Sequence, residues 1–380
     1  MTHCPGAPSL VVLSRLCGVV AAAVGCGRAG TGAEGADTLF IGVAAAMTEA
    51  AAPYLHGVEL AVADLNAIRG SSTPPFGVRR PPAEQPTQVS VAIALRDDPS
   101  VIGVVGHTGS AQTLEAAPVY GDVARDGAGA VVAITPTATN PLVTRASAWV
   151  FRVCPTDLDG ARALAAYAAD SLGARRAAVV YRNDLFGQGY TRAFADVFRA
   201  TGGEVVARDP YLAGITEFEA YALRIARRGA DALVVAGGAT DAVEITQAVR
   251  AAGSRPHVLG TDDLAALTTD SVARRAYPDV RYTAFFVADR AATNEARQFV
   301  QRYQARYGVS PDHRAALAYD AATLIGLAAR AVGRDRRRIR DHVASTGRER
   351  APHPGVTGPI GFDEHGDVIG KPVLVVPVAR

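Results

Sequence analysis

Apolar and polar positions along the chain switch repeatedly between two periods. Residues 38–44 (TLFIGVA) form a run of strand length, and behind it Leu55, Val58, Val62 and Leu65 recur at intervals of three and four, the single apolar face of a helix. Residues 101–105, 130–134 and 149–153 supply further strands, with a helix expected over 112–126. The pattern then restarts. Strands are expected at 177–181, 204–207, 232–236 and 257–260, separated by helices near 189–200, 217–228 and 241–252. Two successive sets of β-α units predict an α/β chain with two doubly wound parallel-sheet lobes, since each crossover helix must cover a sheet face. A strand-like run at 281–288, long helices near 293–307 and 314–332, and late strands at 360–362 and 373–376 complicate a simple two-domain split. Prolines 74, 75, 81, 82 and 86 make residues 71–86 a surface loop or sheet edge, because proline cannot donate to a ladder.

Composition supports a sizeable core and says little about partners. With 380 residues, 49% hydrophobic and 20% charged, the chain has material for two domains. Its net charge of +2 and its single lysine, Lys371, give no electrostatic case for nucleic acid.

The first 36 residues differ from the rest. Arg15 precedes a small, apolar run at 16–25, long enough for the apolar region of a signal peptide but about half of what a bilayer-spanning helix needs. No other segment reads as long enough to span. The run ends in Ala23-Val24-Gly25-Cys26, which resembles a bacterial lipobox, so residues 1–25 are expected to be a signal peptide and Cys26 the lipidated residue. A plain secreted protein cut nearby is the alternative. Residues 26–36, rich in glycine, then form a flexible tether. Cys4 and Cys17 leave with the leader, so Cys154 stands alone in the body, expected to be a buried structural thiol in its apolar surroundings rather than a nucleophile.

Candidate chemistry gathers at two hydroxyl-rich turns: His107-Thr108-Gly109-Ser110, and Thr135-Pro136-Thr137-Ala138-Thr139. Each lies where a strand should end and a helix begin, the place where open α/β sheets present backbone N–H groups to a ligand. Together they suit a carboxylate; plain helix capping is the competing explanation. Other chemistries fit poorly. Gly187-Gln188-Gly189 and Gly237-Gly238 complete neither a dinucleotide fingerprint nor a P-loop, so no cofactor is expected. Ser110 is not in a G-x-S-x-G elbow, which speaks against a catalytic role, and His107 is expected to be a structural ring satisfied by backbone. The eight histidines show no metal-ligand spacing. Residues 334–340 (RDRRRIR) are a candidate docking face for a membrane partner, a solvated helix face being the default.

Several segments in order carry a family resemblance: Gly42-Val43-Ala44 before the helix ending LAVADLNA, then VVGHTGS, TPTATNP, YRNDLFGQGY at 181–190, and above all GVTGPIGFDEHGD at 355–367. Over residues 38–375 the chain resembles branched-chain amino-acid-binding proteins, the type I periplasmic binding proteins of ABC importers. The resemblance implies a Venus-flytrap of two lobes joined by a three-strand hinge, with lobe one at 37–156 plus 284–345 and lobe two at 157–283 plus 346–380. It implies a monomeric, exported protein, lipid-anchored at the cell membrane or periplasmic, that captures a branched-chain or related small amino acid and hands it to permease subunits. A sensory protein of the same fold, or one that takes an amide or an aromatic acid, is the alternative. Carried over by position, Ser110 binds the α-carboxylate through its hydroxyl, Thr137 through its backbone N–H and Thr139 through both. Asp262 faces the ammonium, with Asp263 as the competing residue, and Phe186 packs over the ligand or sits in the core. The loop at 47–56 is shorter than in leucine-binding members, and 236–239 lacks the tyrosines often found there, so the side-chain pocket is expected to be walled differently.

Overall fold

The computed structural model describes residues 38–45, 51–68, 70, 74–82, 85, 87–268 and 271–379. The expected signal peptide, the tether and Cys26 lie outside them. Chain order begins with β1 (Leu39–Ala44), α1 (Ala52–Ala67), β2 (Phe76–Arg79), α2 (Gln88–Asp97), β3 (Val101–Gly106), α3 (Ser110–Tyr120), β4 (Ala133–Thr135) and β5 (Val150–Arg152). The five strands form a parallel sheet in the order β2-β1-β3-β4-β5. The proline-flanked segment is therefore an edge strand: β2 pairs β1 on one side only, where missing N–H groups cost least.

A second set follows: α4 (Asp157–Ala166), β6 (Arg176–Arg182), α5 (Leu185–Ala200), β7 (Glu204–Tyr211), α6 (Glu219–Arg228), β8 (Ala232–Ala236), α7 (Ala239–Ala251), β9 (His257–Gly260), α8 (Ser271–Ala276) and β10 (Arg281–Ala284). The remainder is α9 (Asn294–Tyr307), α10 (His313–Val332), α11 (Arg336–Ala344), the hairpin β11 (His353–Gly355) and β12 (Gly358–Ile360), and β13 (Leu374–Pro377). The second sheet runs β13-β10-β9-β8-β6-β7, parallel except for β13 against β10.

Both sheets are buried on two faces, and their strands divide between two cores by period-two alternation, which β3 breaks at a register shift opposite Phe40 and Ile41. Ile102, Val105, Val132 and Ile134 face α1 and α10, while Val101, Val104, Val131 and Ala133 face α2 and α3. In the second sheet Ala178, Val180, Leu233 and Val235 lie on one side, and Ala177, Val179, Ala232 and Val234 on the other. Against that sheet α5 turns Tyr190, Phe194 and Phe198, spaced by four, and burying each phenylalanine stabilises by about 1.5–3 kcal/mol.

Three features depart from the expectations. Helix α2 was not foreseen: only Ala92 and Leu95 are buried, too narrow an apolar stripe to register, and its start is fixed by a capping box of Thr87 and Ser90. Helix α10, 20 residues long, is long and apolar enough to cross a bilayer, contrary to the reading that no segment beyond the leader is. It is a core helix, buried along most of its length, and Gly57 of α1 approaches it so closely that a Cβ there would lie 2.2 Å from the Ala315 carbonyl oxygen. The stretch 346–380, expected in the second lobe, divides: Val356, Ile360 and Phe362 join the core of α1 and α10, and β13 alone joins the second sheet. The crossing after β10 interleaves likewise, with Phe285 and Phe286 in the first core and Ala284 and Val287 in the second.

Candidate functional site

Strand β3 ends at Gly106, whose φ of +134° admits glycine, and a Cβ would stand 2.4 Å from the Ala44 carbonyl oxygen. The chain then turns through 107–109 into α3, placing Ser110 in the first helical turn. Ser110 does not cap the helix: Gly109 holds that position without a side-chain bond, and the Ser110 Oγ accepts from the Asn140 backbone N–H at 3.2 Å. The capping explanation therefore falls for this residue.

The second turn, contrary to expectation, opens no helix, since β4 leads on to β5 through turns alone, and it is tied to the first. Thr135 donates to the His107 carbonyl at 2.5 Å and accepts from the Ala138 N–H at 3.1 Å. Thr137 donates to the Thr108 carbonyl at 2.7 Å, so the Tyr54 hydroxyl, 2.9 Å from Thr137 Oγ1, is its donor. Arg152, fully buried, donates to the carbonyls of Ala138 at 3.1 Å and Asn140 at 2.7 Å, and to Asp367. Thr139 is buried, and its carbonyl accepts from the Asp157 N–H at 2.9 Å. Desolvation pushes the buried Asp157 carboxyl up to about 6, against the pull of the Thr139 hydroxyl and Arg152.

The second sheet supplies the opposite wall. Beyond β9, Thr261 leads into a 3-10 turn, Asp262–Thr268, that opens with two carboxylates. Asp262 is 8% exposed, and burial together with the Asp263 charge raises its pKa well above the carboxylate range. Asp263 is open to the cleft, and enclosure by the walls raises its pKa despite the pull of Arg182 and Arg314. Phe186, half-buried, lies in the first turn of α5, which Asp184 caps by accepting from the Gly187 N–H at 2.8 Å.

These residues line one cleft with two chambers. One, of about 200 Å³, is bounded by Ser110, Thr137, Thr139, Phe186, Asp262 and Asp263 among others. Its neighbour, of about 240 Å³, shares Thr108, Thr137, Asp262 and Asp263 and adds Tyr54, His313 and Arg314. All five expected ligand residues thus border the same space, and Asp262 and Asp263 border both chambers. Tyr54, Arg182, Asp184, His313 and Arg314 were not expected. The signal available for two of them was the charged triplet Asp312-His313-Arg314 heading an otherwise apolar helix; for Arg182 and Asp184 it was their place in YRNDLFGQGY.

Three other expectations change or hold. His107 is satisfied by side chains, not by backbone: Nδ1 lies 2.8 Å from Gln88 Oε1, which can only accept, and Nε2 lies 2.9 Å from the Tyr120 hydroxyl. Burial lowers its pKa to about 4, so it is neutral. Within 334–340, Arg336 is no free docking cation, because it donates to the carbonyls of Arg96, Asp98, Val101 and Gly129. Arg337 and Arg340 lie over the Trp149 ring. Cys154 is buried, its thiol pushed up by desolvation, as a structural residue should be.

Comparison with known proteins gives a consistent picture. A family model described as "Periplasmic binding protein" matches residues 38–379. An amino acid binding protein of Pseudomonas aeruginosa is 32% identical over 243 residues, 62% of this chain and 63% of the relative. A Leu/Ile/Val/Thr-binding protein of Salmonella typhimurium is 29% identical over 247 residues, 63% and 65% of the two chains. The chain thus spans a little under two thirds of the length of these curated relatives. The crystal structure of a leucine-binding protein from Thermotoga maritima superposes with a TM-score of 0.78 at 26% identity, over 90% of this chain and 96% of that one. Since the family match runs from the first strand of the first sheet to the last strand of the second, the chain belongs to the periplasmic binding protein family and groups there with the branched-chain amino-acid-binding proteins.

Proposed function

We propose that this chain is an extracytoplasmic solute-binding protein that captures a free amino acid between its two lobes and delivers it to an ABC permease, tethered to the membrane through lipid on Cys26. The observation that carries this reading is the facing of hydroxyl donors and a buried carboxylate across one chamber. An α-amino acid presents a carboxylate and an ammonium on one carbon, so a dry cleft must offer fixed donors to the first and an anion to the second. Ser110 and the 137–139 turn supply the donors. Asp262 supplies the anion, giving up its proton when the ammonium lies against it, and is favoured over Asp263 because it is the buried one of the pair. Phe186 covers the ligand from the second lobe.

Capture proceeds by closure, the hinge motion by which such proteins enclose solutes. With water excluded, each polar contact strengthens, and no covalent step is needed. Removing the Ser110 hydroxyl leaves one carboxylate oxygen short of a donor, so Ser110→Ala weakens a bound amino acid by about 1–3 kcal/mol. Titration calorimetry checks this, and unchanged affinity removes Ser110 from the site. In the same assay Asp262→Ala weakens amino acids more than carboxylates lacking an amine; equal losses would refute the ammonium assignment. A thermal-shift screen of residues 37–380 against amino acids and aromatic acids identifies the solute, because a tight ligand stabilises the fold by mass action.

A further inference from the structure

Among the described residues, the charges lining the cleft do not cancel. Three carboxylates, Asp184, Asp262 and Asp263, face two guanidinium groups, Arg182 and Arg314. Both guanidinium groups are held by carboxylates of their own: Arg182 pairs with Asp184, and Arg314 donates through Nε to Asp312 at 2.6 Å. His313, with Nε2 3.9 Å from Asp262, adds no charge near neutral pH, because burial lowers its pKa to about 4. That leaves Asp262 and Asp263, neither paired with an arginine or lysine among the described residues, as two neighbouring carboxyl groups whose raised pKa values make them share negative charge in the cleft and reach full charge only beside a cation.

A zwitterion does not repair this imbalance. Its carboxylate takes neutral donors from the hydroxyl turns, and its ammonium offsets one carboxylate. The second, Asp263, would have no cation beside it and would hold its proton or stay an uncompensated charge at the cleft wall. The chamber beyond the head group is also badly suited to an aliphatic side chain. Tyr54, Thr108, Thr137, His313 and Arg314 line it, with Ala51, Ala265 and Ala266 the apolar wall residues, so a leucine would strip water from polar groups and return nothing.

Building on the amino-acid reading above, we propose that the captured solute is a basic amino acid whose side-chain cation occupies the Tyr54–Arg314 chamber against Asp263, while its ammonium meets Asp262. Arg314 does not repel such a cation decisively, since Asp312 screens it at hydrogen-bond distance.

Paired ligands test this directly. Calorimetry on the wild-type protein compares arginine with citrulline, its neutral isostere, and lysine with norleucine, with leucine as the family reference. Arginine or lysine should bind at least about tenfold tighter than its neutral counterpart, roughly 1.4 kcal/mol. Asp263 makes no hydrogen bond within the described fold and is open to the cleft, so Asp263→Asn keeps the structure and should erase that preference, bringing arginine down to the affinity of citrulline in the same variant. Tighter binding of leucine, or a preference that survives in Asp263→Asn, overturns this inference and leaves the amino-acid reading standing. Binding of aromatic acids with no amino acid bound overturns both.

Discussion

His107 shows how a polar residue inside the hydroxyl turn can serve the fold and not the ligand. Its ring is 1% exposed and bridges Gln88 of α2 to Tyr120 of α3, joining two helices on one face of the first sheet. Folded His107 titrates near 4 against 6.5 in the unfolded chain, so between those values the unfolded state binds more protons. Stability from the neutral ring is full above about 6.5 and is lost as pH falls towards 4. Urea denaturation at pH 7 and pH 4.5 should show wild type losing about 1–3 kcal/mol more than His107→Gln over that interval. The raised carboxyls, such as Asp157 at about 6, act with the opposite sign but are present in both proteins, so the difference isolates the ring. Equal acid losses would assign the sensitivity elsewhere. At this scale much of the site was legible: Ser110 sits at a strand-to-helix turn, and Thr137 and Thr139 at the end of a strand, although the chain there runs on to β5 without a helix. Tyr54 of α1, Arg182 at the end of β6, and His313 and Arg314 at the start of α10 are far apart in sequence, and no local pattern announces that they meet at one cleft.

The elements themselves were legible where an apolar stripe is wide, and obscure where polar contacts hold them. The strands of both sheets, buried on two faces, read as apolar runs. Helix α2 did not, and the arginine-rich α11 read only as a solvated helix face, its anchoring to the first lobe unseen. In α11 the apolar anchors are Ile339 and Val343, and the rest of its attachment is polar. Arg336 reaches across to β3 and to the end of α2, donating to the Val101 and Arg96 carbonyls at 2.8 Å and to Gly129 at 3.0 Å. One side chain thereby satisfies carbonyls left over at a helix end and at a strand start. Arg336→Ala strands them together and should lower stability by about 2–4 kcal/mol. The midpoint in thermal denaturation should fall while calorimetric affinity for the ligand stays at the wild-type value, since Arg336 borders neither chamber. A variant as stable as wild type would make these contacts incidental, and would restore the basic segment as a candidate docking face.

At the scale of the whole molecule, the motif GFDEHGD gains a physical role that its residue types alone did not disclose. Asp367 receives the buried Arg152 guanidinium and the Thr144 hydroxyl at 2.8 Å, and the Arg152 N–H donates to the Gly366 carbonyl at 3.0 Å. Arg152 ends β5, just before the chain passes to α4 and the second sheet, and its other donors hold the carbonyls of Ala138 and Asn140 beside Thr139. The motif thus braces a crossing between the sheets and the proposed carboxylate grip through one cation, and that cation is fully buried. Replacing Asp367 leaves it short of its counter-charge, a change that costs on the order of 3–5 kcal/mol in buried pairs. Asp367→Asn should therefore lower the melting temperature and weaken amino-acid binding several-fold, although Asp367 borders neither chamber. Small-angle scattering with saturating ligand should show wild type and variant contracting alike, because the donors on Ser110 and the anion on Asp262 remain. Weakened binding with intact contraction is the signature of a positioning residue. Unchanged affinity in a destabilised variant would instead confine the pair to holding the fold, and loss of contraction at saturation would place it in the hinge motion itself.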